Sequence, residues 1–471
     1  MAQKRVTSHI LALAGSAGAR KYILNISWLG VEKILRLLAG LLVGVYVARY
    51  LGPDNFGTFS YVLAYGAIFG TVIKLGLDSI VVRELVIKHE QSKELLATAL
   101  FLKTISALTV VFFLALALTV LNLNSITYLY VLIISIGLVF QSSEVVDYYF
   151  QSIVKAKYAA MCKILQLAIS SAIKIGLVLL EVDLLWFVVA TLIDQATLSV
   201  AYLYVFLKRG PKPEKNIITQ HTASGSQFFE NYSGYLRCAA KTVLDSVSVQ
   251  QANDLLKASW PLLLYSLAVV LNMKSDTLII NWLLGSEHVG LYAAGTRLTE
   301  VLYVLPVIIG AGVYPYLTKH HVSSAWHSRT IQLMGLLSWI AIISAIMGIL
   351  FGEVLINFLY GESFAKSGEV FVIHVIGVIF VFHVSIRTRL LTIENKQLLS
   401  LYLLAASLVL NVLLNIALIP YYGLVGAAWA SVLAWGANTI LFPLLSPGAS
   451  RYVRVLFESP VSFIRNGFRH V

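Results

Sequence analysis

Apolar residues run along this chain in long blocks, not in the alternation of a half-buried strand. A run of about 20 mostly apolar residues is long enough to cross a hydrocarbon layer as a helix. Runs of that length read as helix and not strand. Twelve are predicted, at 22–48, 56–76, 95–121, 127–143, 158–180, 184–207, 258–283, 291–316, 330–350, 370–386, 397–418 and 422–443. No alternating segment of about ten residues recurs, which argues against a transmembrane β-barrel. The expected fold is an all-α polytopic membrane protein with twelve transmembrane helices. Six fall in an N-lobe, 22–207, and six in a C-lobe, 258–443. A tail (1–21), a polar stretch between the halves (208–257) and a basic tail (444–471) complete the chain.

Composition supports this picture. Of 471 residues, 58% are hydrophobic and only 12% charged, about half the charge of a soluble domain. A soluble enzyme, a disordered chain and a disulfide scaffold are therefore excluded. The net charge of +12 would suggest nucleic acid in a soluble protein. Here Lys and Arg in cytoplasmic loops explain it, so no nucleic-acid partner is expected. The two cysteines, Cys162 and Cys238, lie in different segments with no CxxC, so neither a disulfide nor zinc is indicated. Lys4 and Arg5 precede a short apolar run, Ile10–Ala14. That run is too short for a good signal-peptide core, so a retained tail is expected. No catalytic motif, metal site or cofactor emerges.

Lys and Arg orient the helices. With the N-terminus inside, the inside segments hold 25 of them and the outside loops only Arg49 and Lys366. That split places both termini in the cytoplasm.

The two halves repeat. Leu51-Gly52-Pro53-Asp54-Asn55-Phe56-Gly57-Thr58-Phe59 aligns with Leu284-Gly285-Ser286-Glu287-His288-Val289-Gly290-Leu291-Tyr292, at an offset of 233. Each lies between the first and second helix of its half, where glycine permits a turn that a Cβ resists. Six helices per half keep both repeats in one orientation, related by an axis along the membrane normal. The 208–257 stretch reads as a linker on the membrane surface, with a surface helix from Thr242 to Leu256.

Twelve ionisable residues fall inside the predicted helices: Lys33, Arg36, Lys74, Lys103, Lys163, Lys174, Lys274, Arg297, Glu32, Asp194, Asp276 and Glu300. Each costs about 2.5–3.5 kcal/mol near a helix centre, so it must pair, snorkel or face water. Lys74 and Lys163 lie close enough to the inner end to snorkel. Glu32 and Arg36 are spaced for an ion pair one turn apart. Lys103 and Lys174 have no local partner in the sequence, and a wet, cation-lined cavity is their expected setting. Lys274, Asp276, Arg297 and Glu300 form one set, open to two readings: a structural network or ligand contacts. The excess of four positive charges calls for an anionic guest with phosphate or carboxylate groups, for which Arg offers bidentate bonds. The candidate ligand-binding cations are Lys33, Arg36, Lys103, Lys174, Lys274 and Arg297. The candidate ion-coupling acids are Glu32, Asp194, Asp276 and Glu300. His374 and His383 read as proton relays or, more commonly, as satisfied buried histidines. Pro306 and Pro315 should bend the eighth helix.

Val43-Gly44-Val45-Tyr46-Val47-Ala48-Arg49-Tyr50, running into Leu51–Gly57, resembles the Wzx-type (O-antigen) polysaccharide flippases of the multidrug/oligosaccharidyl-lipid/polysaccharide exporter superfamily. Asp276-Thr277 before Leu284-Gly285 is similar too, as are Gly290-Leu291-Tyr292-Ala293-Ala294 with Arg297 and Glu300, and Tyr422–Ala428. The resemblance spans about 22–443; the 208–257 connection is longer than the family's usual one. It implies two six-helix lobes around a central cavity in a prokaryotic, typically bacterial, inner (cytoplasmic) membrane. It implies outward movement of undecaprenyl-diphosphate-linked oligosaccharide units for surface polysaccharide, lipopolysaccharide included, with H+ or Na+ as the coupling ion and membrane lipids around it. Two other readings stand beside it. A multidrug exporter of the same superfamily would prefer an acidic cavity. A polysaccharide polymerase would need a larger external loop than 351–369.

Overall fold

The computed structural model describes residues 17–120, 126–210, 246–319 and 325–466. The described residues are helical throughout, with no strand among them. The helices are α1 Ala17–Lys74, α2 Leu77–Ile87, α3 Ser92–Val120, α4 Ile126–Leu138, α5 Val145–Ser152, α6 Lys157–Leu179 and α7 Leu184–Arg209. They continue with α8 Val249–Leu284, α9 Ser286–Leu302, α10 Val304–Lys319, α11 Ala325–Tyr360, α12 Ser367–His374, α13 Gly377–Ile393, α14 Gln397–Gly436 and α15 Ser450–Asn466. Among the described residues nine helical stretches are long and apolar enough to cross a membrane. The bent pair α12 and α13, at 44°, makes ten.

Large apolar side chains lie on the outer surface as well as in the core, and several polar ones are buried. Phe112, Phe113, Val354 and Phe358 are exposed, whereas Ser407, Asn411, Asn415 and Asp276 are buried. Large apolar side chains facing out and small or polar ones facing in are what a hydrocarbon solvent selects. The protein is a multi-pass membrane protein.

Glycines set the bends. α1 is two helical limbs joined at Gly52 (φ 70°, ψ 173°) and α14 two limbs joined at Gly423 (φ 57°, ψ −134°). These are regions that only glycine enters cheaply. The breaks fall where the hydropathy pattern separates helices, near 49–55 and 419–421. The predicted bend of the eighth helix is a break at Tyr303 between α9 and α10. Pro306 lies just beyond it, lacking the N–H that would bond back to Leu302.

The chain divides into two compact units. The first comprises Met1–Ala39, Phe69–Leu177 and Leu185–Leu263, and the second Gly40–Ile68, Val178–Leu184 and Leu264–Val471. In the first unit, Leu77, Val81 and Leu85 of α2 pack with Leu95 and Ala99 of α3, Tyr148 and Phe150 of α5 and Leu255 of α8. In the second, α11 packs against α12, α13 and α15, and α14 against α12 and α13.

The repeat appears in the second unit as a reciprocal contact. Gly285 (φ 88°, ψ 177°) adopts the conformation of Gly52, its counterpart at the offset of 233. A Cβ on Gly57 would sit 1.7 Å from the Ser286 carbonyl, and one on Gly290 would sit 1.9 Å from the Pro53 carbonyl. Gly57 matches Gly290 and Pro53 matches Ser286, so the motifs exchange equivalent contacts about a local two-fold. The Ser286 hydroxyl donates to Asp54.

Some expectations need correction. α8 already begins at Val249, so the described part of the predicted surface helix is the first two turns of a long, apolar helix. Residues 211–245, which hold Cys238 and the rest of that stretch, lie outside the described residues, as does the N-terminal run Ile10–Ala14. The basic tail contains a 17-residue helix, α15, docked on α11. Arg387 and Arg389, counted above in a loop, lie within α13.

Candidate functional site

In the second unit α8, α9, α12, α14 and the α1 residues Ser60, Leu63 and Ala64 surround a cavity of about 160 Å³. It brings together all four charges predicted on the seventh and eighth helices: Lys274, Asp276, Arg297 and Glu300. Tyr292, Tyr303, His374 and Trp435 add aromatic walls.

The four charges are not equivalent. Lys274 Nζ is 3.0 Å from Glu300 Oε1, which makes this an ion pair. Asp276, by contrast, is held by four uncharged donors. Its Oδ1 accepts from Asn411 Nδ2 at 3.0 Å and Asn415 Nδ2 at 2.7 Å. Its Oδ2 accepts from the Tyr292 hydroxyl at 2.7 Å and the Ser431 hydroxyl at 2.5 Å. Two of these donors, Asn411 and Asn415, sit one turn apart on α14, and Asn415 Oδ1 has no hydrogen-bond partner among the described residues. The carboxylate is buried yet compensated by oriented dipoles, as a buried charge must be.

Arg297 is the remaining charge. Among the described residues it makes no hydrogen bond and no ion pair within 4.0 Å. Its guanidinium lies against Gly44, where a Cβ would be 3.0 Å from Cζ. The absence of a side chain at Gly44 gives the planar group its room. A guanidinium with its donors unused, lining a cavity, is a ready bidentate partner for an oxyanion.

The two predicted relay histidines are buried and bonded. His374 Nδ1 lies 2.8 Å from Thr299 Oγ1. His383 donates from Nδ1 to the Ile379 carbonyl at 2.8 Å, which leaves Nε2 facing Ser338 Oγ at 2.9 Å. His383 is thus a satisfied core histidine, whereas His374 also lines the cavity.

The first unit holds two further groups of charges. Arg36 Nε is 2.7 Å from Glu32 Oε1, the predicted pair. Arg36 also reaches Gln166 Oε1 at 3.4 Å, and Gln166 Nε2 donates to Asp194 Oδ1 at 2.5 Å. Gln166 of α6, which sequence reasoning did not single out, thereby links the Glu32–Arg36 pair of α1 to Asp194 of α7. Arg36 stays 43% exposed. Lys33 is exposed on α1 and Lys174 half-buried on α6.

The second group corrects the expectation for Lys103. Its side chain is fully buried and bonds Glu144 Oε2 at 3.1 Å and the Tyr148 hydroxyl at 3.0 Å. Lys74 reaches the other oxygen of Glu144 at 3.4 Å, and the Tyr148 hydroxyl donates to Asp78. Lys163 pairs with Asp147 at 2.7 Å. Glu144 escaped attention because the fourth predicted helix ends at 143, whereas the chain stays helical through Val139–Glu144 into α5. The missing partner was one residue beyond that predicted end.

A second buried cation was missed as such. Arg387 of α13 donates to the Asn438 carbonyl at 2.5 Å and to Asn438 Oδ1 at 2.8 Å, and Asn438 lies in a π-helical turn, Ala437–Leu441.

The fold is one of long, bent helices with a charged cavity in the second unit. Solved structures that share this fold include the following two. An inward-facing multidrug-resistance transporter of the MATE family in the MOP superfamily matches at TM-score 0.67 and 14% identity, covering 94% of this chain and 98% of that one. The lipid II flippase MurJ, in an inward closed conformation, matches at TM-score 0.62 and 13% identity, covering 95% and 93%. Residues 23–321 match the family described as polysaccharide biosynthesis protein, and the chain belongs to that family. A curated relative, the "Probable low-salt glycan biosynthesis flippase Agl15" of Haloferax volcanii, is 27% identical over 278 residues, which are 53% of this chain. The match spans 57% of that relative's length.

Proposed function

We propose that the protein is a flippase for lipid-linked oligosaccharides, moving them outward by alternating access. The observation that carries this reading is Arg297: an arginine lining a cavity with its hydrogen-bond donors unused. An anionic headgroup such as a phosphate or diphosphate satisfies it. Arg36, half-exposed in the first unit, is a second station for the same chemistry, with Lys33 and Lys174 adding positive charge to that unit. The carrier implied by the resemblance is undecaprenyl diphosphate. Family membership and the glycan-flippase relative support the substrate class. An organic drug cation, the substrate of the multidrug reading, is disfavoured by a cavity whose one charge without a direct partner is positive.

Asp276 is the leading ion-coupling residue. A buried carboxylate held only by neutral donors can exchange a hydrogen bond for a proton or a small cation without breaking an ion pair. Glu300 and Glu32 are each tied to a basic partner, and Asp194 is only half-buried; these come second. Counting α12 with α13 as one span and the two limbs of α1 and of α14 separately supports twelve spans, read as two lobes, 22–207 and 258–443. The Lys/Arg asymmetry supports a cytoplasmic position for both termini, and the family resemblance implies a bacterial inner membrane.

The test is Arg297→Gln and Arg36→Gln in the native host. Each is expected to abolish surface polysaccharide; Arg297→Gln should leave protein abundance and thermal stability unchanged, since that side chain makes no hydrogen bond or ion pair among the described residues. Normal polysaccharide in both variants overturns the proposal.

A further inference from the structure

α15 is a helix of three faces. Tyr452, Val455, Leu456 and Ser459 are buried against the rest of the second unit. The Ser459 carbonyl lies where a Cβ on Gly335 of α11 would come within 2.5 Å, and Trp339 Nε1 donates to the Pro460 carbonyl at 3.1 Å. At the other end Tyr452 donates to Glu394 at 2.6 Å, and Arg451 pairs with the same carboxylate. Glu394 stands in the turn between α13 and α14, so α15 starts level with the end of two spanning helices. The candidate span of α11 opens at Ser328. Gly335 is seven residues on, so Ser459 meets α11 about 10 Å along its axis.

The outward side of α15 is split lengthwise. Phe457, Val461 and Ile464, spaced i, i+4 and i+7, form an apolar edge, 63%, 67% and 67% exposed. Arg451, Arg454, Glu458 and Arg465, spaced i, i+3, i+7 and i+14, form the adjacent charged edge, and all are exposed. Three bases against one acid leave this edge positive. The helix is too polar and too short to be one of the candidate spans. A helix with apolar and basic edges side by side, fixed at the end of a bundle, belongs in the boundary layer between acyl chains and headgroups.

We infer that α15 is a recognition surface for anionic phospholipid headgroups: Phe457, Val461 and Ile464 enter the acyl layer while Arg454 and Arg465 hold phosphates of the same leaflet. The occupant follows from charge complementarity. The apolar edge fits hydrocarbon, and Arg454 and Arg465 beside it, which make no ion pair among the described residues, fit negative charge within the same few ångströms. α15 meets α11 through Trp339 and through Ser338, whose hydroxyl lies 3.5 Å from that of Ser459, and meets the α13–α14 turn through Glu394.

The test uses the full chain, purified in a neutral detergent and titrated with phosphatidylglycerol or phosphatidylcholine under native mass spectrometry. Preference for phosphatidylglycerol is expected. Arg454→Gln and Arg465→Gln should weaken phosphatidylglycerol binding roughly fivefold each and leave phosphatidylcholine unaffected. Glu458→Gln, on the same exposed edge, should strengthen it, a change in the opposite direction that misfolding does not produce. Phosphatidylglycerol binding that is the same in all three variants overturns the inference. So does a dimer mass that these substitutions abolish, because the face would then belong to a second copy.

Discussion

The reciprocal glycine contact gives a sharp prediction. Gly57→Ala places a Cβ 1.7 Å from the Ser286 carbonyl, and Gly290→Ala places one 1.9 Å from the Pro53 carbonyl. Real Cβ contacts do not fall below 3.0 Å, so the backbones must part by about 1.3 Å in the first variant and 1.1 Å in the second. Both obstacles are backbone and cannot rotate away. The cost falls at the upper end for overpacking, about 3 kcal/mol, or roughly a hundredfold in the equilibrium constant. Because one separation relieves both clashes, the double variant should cost less than the two singles together, by about 1 kcal/mol or more. Gly40→Ala is the control: nothing lies within 4 Å of its Cβ. Removing a helix-interior glycine there should be neutral or stabilising by about 0.5–1 kcal/mol. Thermal unfolding of the four variants in detergent reads all of these. Strict additivity of Gly57→Ala and Gly290→Ala, or a Gly57→Ala variant as stable as Gly40→Ala, would refute the two-fold contact.

Two further outcomes test the buried charges. Lys103→Met should destabilise the protein by about 3–5 kcal/mol, the usual loss when one partner of a buried pair is removed; adding Glu144→Gln should recover part of it, as read by thermal unfolding. Asp276→Asn keeps the shape of its site but not its charge. It should leave the protein folded while removing the dependence of transport on a cation gradient in proteoliposomes, and an unchanged gradient dependence would reassign the coupling role.

The existence of the spans was legible because hydrocarbon selects on mean apolarity, which survives any detail of packing. Their ends were less so. Hydropathy stops at a charge, so Glu144 and Arg387 were assigned to loops. Whether a charged residue ends a helix or continues inside it depends on the partner it meets. For Glu144 those partners are Lys74 and Lys103; for Arg387 it is Asn438. The bends at Gly52 and Gly423 were visible as turn signals because only glycine takes those backbone angles cheaply. Asn411 and Asn415, two partners of Asp276, were not singled out, although with Ser400 and Ser407 they mark one polar stripe of an otherwise apolar helix. Attention to charge alone missed them, since uncharged donors do most of the compensation in this cavity.

That compensation decides how the cavity distinguishes ligands. Lys274, Arg297, Asp276 and Glu300 sum to zero, so net charge does not draw an anion in. What matters is how each acid is occupied. Asp276 is saturated by neutral donors and Glu300 by Lys274, so neither is committed to Arg297. Arg297 and Glu300 are three residues apart on α9, close enough for a side-chain pair. Lys274→Ala would release Glu300 to Arg297 and silence the arginine without touching it. Lys274→Ala should therefore lower surface polysaccharide nearly as far as Arg297→Gln, and Lys274→Ala with Glu300→Gln should restore a large part of it. A double variant no better than Lys274→Ala would mean that Lys274 itself holds the ligand, and that the division of labour between the two cations is the reverse of the one their contacts imply.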